Sequence, residues 1–207
     1  FMYAFHPQFD RIMNTIKSNI LGDINYAHSM FSFPIQPARF YRINRSMKNG
    51  GGALWDIGPY AIHTLRQCFK ENPIRVKAIA KLNEHGADIS TTGLIDFGNN
   101  KRATFDISFE CTRRSEFEAF GPLGRVKSPT VWQPEDKQAK IIINTESSGL
   151  TEEVVPAANH FILEINHFNK AISSDTTQKL SNEDALWNVK TLESIQKSIQ
   201  KDSWAML

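Results

Sequence analysis

The sequence predicts an α+β fold: an open, mostly antiparallel sheet with helices packed on one face. Three observations support this fold class. From about residue 73 to residue 156, apolar side chains recur at every second position, the period of strands with one buried face. Turn signals rich in glycine, asparagine and serine divide that region into short segments. Helix-period patterns lie before and after it, and strands followed by helices are typical of α+β domains.

The composition is that of an ordinary globular domain without a strong charge bias. The 207 residues include 24 Lys and Arg against 22 Asp and Glu, and the net charge of +2 gives no reason to expect a nucleic-acid partner. No stretch of about 18 uncharged apolar residues predicts a membrane span, and no signal-peptide pattern is visible. The two cysteines, Cys68 and Cys111, form neither a metal-binding spacing nor a disulfide framework. We therefore expect a cytoplasmic protein without a metal site.

The first thirty residues predict a strand, a helix and a second strand. Phe1–Phe5 has the apolar character of a buried strand, and since no Met precedes it, we expect a piece of a longer polypeptide. A helix is predicted over residues 7–20, with Pro7 in its first turn and Gly22 after its end. Its apolar residues recur at steps of three and four: Phe9, Ile12, Met13, Ile16 and Ile20. Residues 24–33 predict the next strand.

A long connection over residues 34–52 precedes a helix predicted over residues 54–69. The connection carries four cations and three consecutive glycines, and a loop of this length in a compact domain is usually functional or disordered. Pro59 fits only the first turn of a helix without breaking a backbone hydrogen bond. Either Asp56 lies at or near the N-cap, or the helix is kinked at Pro59. In both cases Asp56 and Tyr60 stay close, since residues i and i+4 share a helix face.

About seven strands are predicted between residues 73 and 156, mostly joined by hairpins into an open sheet. Apolar and polar side chains alternate most clearly over Ile74–Leu82 and Arg102–Glu110. Two helices then close the chain. Their apolar stripes are Phe161, Ile165, Phe168 and Ile172 in the first, and Leu186, Val189, Leu192, Ile195 and Ile199 in the second. Ser181 with Asp184 approximates a capping box at the start of the second helix.

The side chains best suited to catalysis follow the three glycines, where an acid, a phenol and an imidazole lie on one predicted helix face. Asp56, Tyr60 and His63 can together pass a proton to or from a substrate hydroxyl, provided that burial or a nearby cation tunes the tyrosine. The alternative is structural: the glycines form a plain loop, Asp56 only caps the helix, and His63 is a satisfied histidine. The sequence contains no dinucleotide fingerprint, phosphate-binding loop or nucleophile elbow.

The stretch Gly50-Gly-Gly-Ala-Leu-Trp-Asp-Ile-Gly-Pro-Tyr60 resembles the matching segment of the Gfo/Idh/MocA oxidoreductases. Other segments agree in order along the chain. Residues 1–8 (FMYAFHPQ) resemble the last strand of that family's nucleotide domain and its exit, and Arg42 resembles a recurrent arginine of the loop before the glycines. Residues 181–186 (SNEDAL) resemble the start of the family's closing helix. Ala4 departs from the pattern, since many relatives have arginine there.

The resemblance implies the C-terminal domain of a two-domain, NAD- or NADP-dependent oxidoreductase that acts on a sugar, polyol or related hydroxyl or carbonyl compound. Residues 1–22 would be the last strand and helix adjoining a missing N-terminal nucleotide-binding domain. Residues 23–207 would be the domain for substrate binding and oligomerisation. The missing domain would bind most of the cofactor and supply a lysine to the proton relay, so this chain alone is expected to be inactive.

The resemblance makes Tyr60 the acid/base and Asp56 the residue that binds and orients the substrate. Further candidates for substrate binding are His63, Arg42, His6 and His160, and the candidates for cofactor contact are Gly51 and Gly52. We expect a dimer or tetramer formed through the sheet, and neither a nucleic-acid nor a membrane partner. The alternative function is a non-catalytic α+β module for assembly or ligand sensing.

Overall fold

The centre of the molecule is one mixed sheet. The computed structural model describes residues 1–134, 137–174 and 177–207, and in that part of the chain nine strands pair in the order β8-β7-β6-β5-β1-β4-β3-β2-β9. The strands are β1 (Tyr26–Ser32), β2 (Arg75–Leu82), β3 (Asp88–Gly98), β4 (Lys101–Ser108), β5 (Arg114–Gly121), β6 (Gly124–Ser128), β7 (Ala139–Thr145), β8 (Gly149–Val155) and β9 (Ala205–Met206). The predicted α+β architecture is confirmed, and β2 to β8 are the seven strands expected from the alternating pattern.

Strand β1 lies in the middle of the sheet and has one neighbour of each orientation. It runs antiparallel to β5, with Tyr26 opposite Phe120, and parallel to β4, with Tyr26 opposite Arg102. The other strand pairs are antiparallel. A parallel pair needs a long crossover, and here the crossover between β1 and β4 contains the three-glycine segment and the helix after it. The end of β1 therefore leads directly into the candidate site.

Five α-helices accompany the sheet within the described residues: α1 (Pro7–Lys17), α2 (Ala53–Asp56), α3 (Gly58–Phe69), α4 (His160–Ser174) and α5 (Asn182–Lys201). Helix α1 begins as predicted, with Pro7 in its first turn. It ends at Lys17, earlier than expected, because Asn19 adopts a left-handed φ of 61°. Helix α5 is capped by Ser181, whose hydroxyl accepts the backbone N–H of Asp184 at 3.0 Å.

The prediction of a strand over Phe1–Phe5 is wrong. Residues Met2–Phe5 form a 3₁₀-helix closed by local backbone bonds, including one from the N–H of His6 to the carbonyl of Tyr3. The consecutive residues Tyr3 and Ala4 are both fully buried, whereas a strand would send them to opposite faces. Apolar content alone does not separate these two conformations, because the segment is too short to show a period.

Helices α1, α3 and α5 pack on one face of the sheet, where a single hydrophobic core joins them to the strands. Along β1, Ala27 and Phe31 point into this core, while His28 and Met30 remain partly exposed on the other face. The same core contains Tyr3 and residues of α1, so residues 1–22 share it with the rest of the chain. The opposite face carries ion pairs such as Arg114–Asp106 and Arg125–Glu118.

Helix α4 leaves its predicted apolar stripe largely exposed. Phe161, Ile165, Phe168 and Ile172 are 54%, 58%, 54% and 69% exposed. The helix lies against the 3₁₀-helix near the start of the chain, where the rings of Phe5 and His167 are 5.1 Å apart. None of the described helices combines the length and the apolar character that crossing a lipid bilayer requires.

Candidate active site

The three-glycine segment packs tightly against its own chain. A Cβ added to Gly51 would lie 1.9 Å from the carbonyl oxygen of Arg45, and one added to Gly52 would lie 1.9 Å from Oδ1 of Asp88. Gly52 also has a φ of 99°, which side chains rarely tolerate. The predicted contact of Gly51 and Gly52 with a cofactor therefore has a competing explanation, because both glycines are buried and protein atoms fill the space beside them.

Asp88 is the group that fixes the end of this segment. Its Oδ2 accepts the backbone N–H of Leu54 at 2.8 Å and the hydroxyl of Thr91 at 2.7 Å. Burial raises the pKa of Asp88 to about 6. The carboxylate thus takes the place of an N-cap for α2, the first turn after the glycines.

The two alternatives for Pro59 are resolved by a break in the helix. Helix α2 ends at Asp56, Ile57 separates the two helices, and Pro59 lies in the first turn of α3. There proline removes no needed backbone bond. The carbonyl of Pro59 accepts a hydrogen bond from the side-chain amide of Asn188 at 3.1 Å, which ties the break to α5.

Asp56 forms an ion pair with Arg42 across the glycine segment. Nη1 of Arg42 donates to Oδ2 of Asp56, and both side chains keep some exposure, 28% and 23% respectively. The carbonyl of Arg42 accepts the N–H of Gly52 at 2.8 Å, so the loop and the glycines are also joined through the backbone. The loop cation and the helix acid, both predicted as site residues, are thereby brought together.

Tyr60 lies beside this ion pair in the first turn of α3. Its ring has edge contacts with Phe1 at 5.5 Å and with Phe31 at 5.8 Å, and its hydroxyl forms no hydrogen bond with the described residues. Burial raises the pKa of Tyr60, the carboxylate of Asp56 adds to the rise, and the guanidinium of Arg42 opposes it. The phenol is therefore protonated near pH 7, with the ion pair close enough to affect its pKa.

His63 is in the protein interior and does not present its ring to solvent. It is 0% exposed, its Nδ1 lies 2.5 Å from the hydroxyl of Tyr3, and its Nε2 lies 3.0 Å from Oδ2 of Asp184. The Nε2 contact satisfies the distance but not the angle of a good hydrogen bond. This burial argues against the predicted contact with substrate, because both ring nitrogens face protein groups.

Asp184 is a part of the site region that the sequence did not reveal. Its carboxylate accepts from Nη1 of Arg66 at 2.9 Å and from the side-chain amide of Gln67 at 2.9 Å, in addition to its approach to His63. The sequence signal was present, since Ser181 and Asp184 have the spacing of a cap, but that pattern predicts a bond to the helix's own backbone. The direction of the carboxylate depends on the tertiary position of α3.

His6 and His160 form a separate pair. His6 is 0% exposed and its Nδ1 accepts the backbone N–H of Gln8 at 3.1 Å, which makes it the N-cap of α1. His160 is 8% exposed, and the centroids of the two imidazole rings are 6.4 Å apart. Burial, and secondarily His160, lowers the pKa of His6. A cap role accounts for Nδ1 of His6, and aromatic packing holds the two rings against each other.

Two cavities border the aromatic neighbours of Tyr60. One, of about 210 Å³, is lined in part by Phe1 and Glu164. The other, of about 400 Å³, opens beside Phe33, whose ring lies 5.9 Å from that of Phe31. Neither cavity is lined by Tyr60 or Asp56. Tyr60 is only partly buried, so a ligand can reach its phenol from solvent.

Comparison with known proteins finds a family model, the GFO/IDH/MocA C-terminal domain, that matches residues 9–127. The chain is 28% identical to an uncharacterized oxidoreductase of Rhizobium meliloti, over 98% of this chain and 62% of the relative. It is 23% identical to D-xylose 1-dehydrogenase (NADP(+)) 2 of Haloferax volcanii, over 97% of this chain and 61% of the relative.

Two solved structures share the fold of the whole chain. The aldose-aldose oxidoreductase from Caulobacter crescentus, complexed with glycerol, matches with a TM-score of 0.86 and 17% identity over 100% of this chain and 62% of that one. A 3-ketoreductase from Actinomadura kijaniata, in complex with TDP-benzene and NADP, matches with a TM-score of 0.83 and 22% identity over 96% of this chain and 60% of that one. The chain thus spans about three fifths of the length of these proteins.

Proposed function

Because this chain belongs to the Gfo/Idh/MocA family, in the part described as its C-terminal domain, we propose that it is the substrate-binding domain of an oxidoreductase. The proposed substrate is a sugar, a polyol or a related hydroxyl or carbonyl compound. The relatives named D-xylose 1-dehydrogenase and 3-ketoreductase support this substrate class. Because the chain matches only part of each relative, the activity is proposed for the whole protein and not for this domain alone.

The observation that carries the proposal is the Tyr60 phenol beside the Arg42–Asp56 ion pair. A partly buried phenol with a raised pKa holds its proton at neutral pH, so it is suited to donate that proton to the oxygen of a substrate carbonyl as it becomes a hydroxyl. Asp56 and Arg42 offer an acceptor and a donor to neighbouring hydroxyl groups. In the oxidation direction Tyr60 needs a further cation to lower its pKa, which the lysine implied by the family resemblance would supply.

The proposed cofactor is NAD or NADP, which would take or supply the hydride. NADP is present in the structure of the Actinomadura kijaniata enzyme and in the name of the Haloferax volcanii enzyme. Gly51 and Gly52 leave little room for a cofactor beside them, since atoms of Arg45 and Asp88 fill that space. We therefore assign cofactor binding to the part of the protein that the longer relatives possess beyond this match, and we propose that this chain alone is inactive.

The domain boundary, the subunit arrangement and the location are parts of the same proposal. Residues 1–22 would link the nucleotide-binding domain to the domain formed by residues 23–207. The dimer or tetramer would form through the exposed face of the sheet, which offers charged pairs such as Arg125–Glu118 for contact with a second copy. A cytoplasmic location completes the proposal.

A non-catalytic module for assembly or ligand sensing is the alternative function. The exposed apolar stripe of α4 favours it, because large exposed apolar patches mark interaction sites. The two functions make different predictions for the complete protein. A non-catalytic module would bind its ligand without converting it, so no substitution near Tyr60 would change a reaction rate.

The test is NAD(P)-dependent turnover of aldoses, ketoses and polyols by the full-length protein and by its Asp56→Asn variant. We expect turnover by the unmodified protein and a loss of about 10- to 100-fold in kcat/KM in the variant, because misplacement of a bound substrate by about 1 Å costs roughly 100-fold. Asp96→Asn is the matched control, because Asp96 also pairs with an arginine, Arg75, but on the sheet. Absence of turnover with every substrate would support the module instead. Turnover with equal losses in both variants would exclude the module and count against the role of Asp56.

A further inference from the structure

A chain of buried polar groups joins the start of the protein, α3 and α5 at a single histidine. Tyr3 and His63 are both 0% exposed, and the Tyr3 hydroxyl lies 2.5 Å from Nδ1 of His63. On the other side of the ring, Oδ2 of Asp184 lies 3.0 Å from Nε2. Three segments that are distant in sequence thus converge within one turn of Tyr60.

The charge states of Asp184 and His63 indicate where the protons of this buried polar network lie. Burial lowers the pKa of His63, which keeps the ring neutral at pH 7. Burial pushes the pKa of Asp184 up, but His63 and Arg66 more than offset it and hold it below its usual range. A neutral ring beside an ionised carboxylate carries its proton on Nε2, so Nδ1 accepts the hydroxyl proton of Tyr3.

The same network reaches Tyr60 by two routes. Oγ1 of Thr64 accepts from Nε1 of Trp132 at 2.8 Å and lies 2.8 Å from the Tyr3 hydroxyl and 2.9 Å from the carbonyl of Tyr60. Because the Tyr3 proton goes to His63, the one Thr64 proton is shared between the Tyr3 oxygen and the Tyr60 carbonyl. In addition, the Phe1 ring stacks on His63, with centroids 4.4 Å apart, and meets the edge of the Tyr60 ring. Both the backbone and one side of the Tyr60 ring are therefore held by groups that contact the network.

We propose that Asp184, acting through His63 and Tyr3, positions the Tyr60 phenol for proton transfer. These three are positioning residues, since no hydrogen bond among the described residues joins any of them to the phenol oxygen and each acts through Thr64 or Phe1. The proposal rests on the proposed function of Tyr60 as the proton donor. Buried polar networks fix side-chain geometry, and misplacement of a reacting group by about 1 Å lowers rates by roughly 100-fold.

A purely structural role for the network predicts a different result from a positioning role. If the network only stabilises the fold, its loss lowers the melting temperature while each remaining folded molecule turns over at the normal rate. If it positions Tyr60, kcat falls in folded enzyme and KM for the substrate stays nearly constant, because Asp56 and Arg42 still hold the ligand. The split between kcat and KM separates the two roles.

The experiment uses the full-length protein assayed well below its melting temperature. For Asp184→Asn we expect kcat to fall by about 10- to 100-fold with KM changed less than about twofold. Glu183→Gln is the matched control, because Glu183 is an exposed acid in the same first turn of α5, and it should leave both constants unchanged. Tyr3→Phe keeps the Asp184–Arg66 ion pair and removes only the hydroxyl, and it should reproduce the loss of kcat.

The outcomes separate this proposal from the function on which it rests. If Asp184→Asn does not fold, because Arg66 is left buried without its carboxylate partner, Tyr3→Phe decides the matter. A folded Tyr3→Phe variant with the kcat of the unmodified enzyme overturns the positioning role. If instead Tyr60→Phe itself keeps full turnover, the proposed function fails and the network has nothing to position.

Discussion

Gly52→Ala should destabilise the protein far more than the same change two residues earlier. At Gly52 the φ of 99° and ψ of 175° fall in a region open almost only to glycine, at a cost of about 1–3 kcal/mol for any other residue. The added Cβ would also lie 1.9 Å from Oδ1 of Asp88, so the carboxylate would have to move and Oδ2 would lose the N–H of Leu54. Loss of such a cap costs about 0.5–2 kcal/mol, so the sum is about 2–5 kcal/mol.

Gly50→Ala isolates the backbone part of this effect. Gly50 has a φ of 75°, but nothing lies within 4 Å of an added Cβ. We expect a loss of about 1–2 kcal/mol there, the cost of a left-handed residue. Urea unfolding followed by circular dichroism, with the slope held common to all variants, measures both values. Equal losses at the two positions would refute the claim that Asp88 packed against Gly52 fixes the start of α2.

Three further predictions concern charge, exposure and thiol reactivity. Folding raises the pKa of Asp88 to about 6, so the folded state favours its protonated form. As the pH falls from 7 to 5, the unmodified chain should therefore gain roughly 1 kcal/mol of unfolding free energy relative to the Asp88→Asn variant. The same pH dependence of unfolding in both proteins would contradict this. Ile165→Glu should leave stability within about 0.5 kcal/mol, because Ile165 is 58% exposed, whereas Ile195→Ala, at a fully buried site, should cost about 2–5 kcal/mol; equal losses for the two variants in urea unfolding would contradict this. A thiol reagent should modify exposed Cys111 quickly and buried Cys68 only on unfolding, since burial raises the Cys68 pKa; two fast thiols would be the contrary result.

The sheet was predictable because its signal is local and repeated. Ala103, Phe105 and Ile107 alternate with polar residues in the sequence and are buried in β4. The position of β1 between β4 and β5 was not predictable, because the alternation of a strand shows its buried face but not which strands pair with it. The stripe of α4 shows a related limit: a 3.6-residue period predicts an apolar face, but not what covers that face.

The candidate site divides in the same way. The glycines, Asp56 and Tyr60 were predicted from their spacing and from the family resemblance, and Arg42 from the resemblance alone, and the structure brings the last three together. The expectation for His63 was misleading, because helical periodicity places it near Tyr60 without showing that Tyr3 and Asp184 enclose it. Such contacts join residues 60 and more than 100 positions apart in sequence, and no local rule encodes them.

The central claim is that the Tyr60 phenol transfers the substrate proton, and the most direct test is the kcat of the full-length Tyr60→Phe enzyme. The substitution removes one oxygen and keeps the ring contacts with Phe1 and Phe31. We predict a fall of about 100-fold or more in kcat, with none in the control Tyr26→Phe, whose hydroxyl bonds Thr104 on the far face of the sheet. A Tyr60→Phe enzyme with undiminished kcat would contradict the claim.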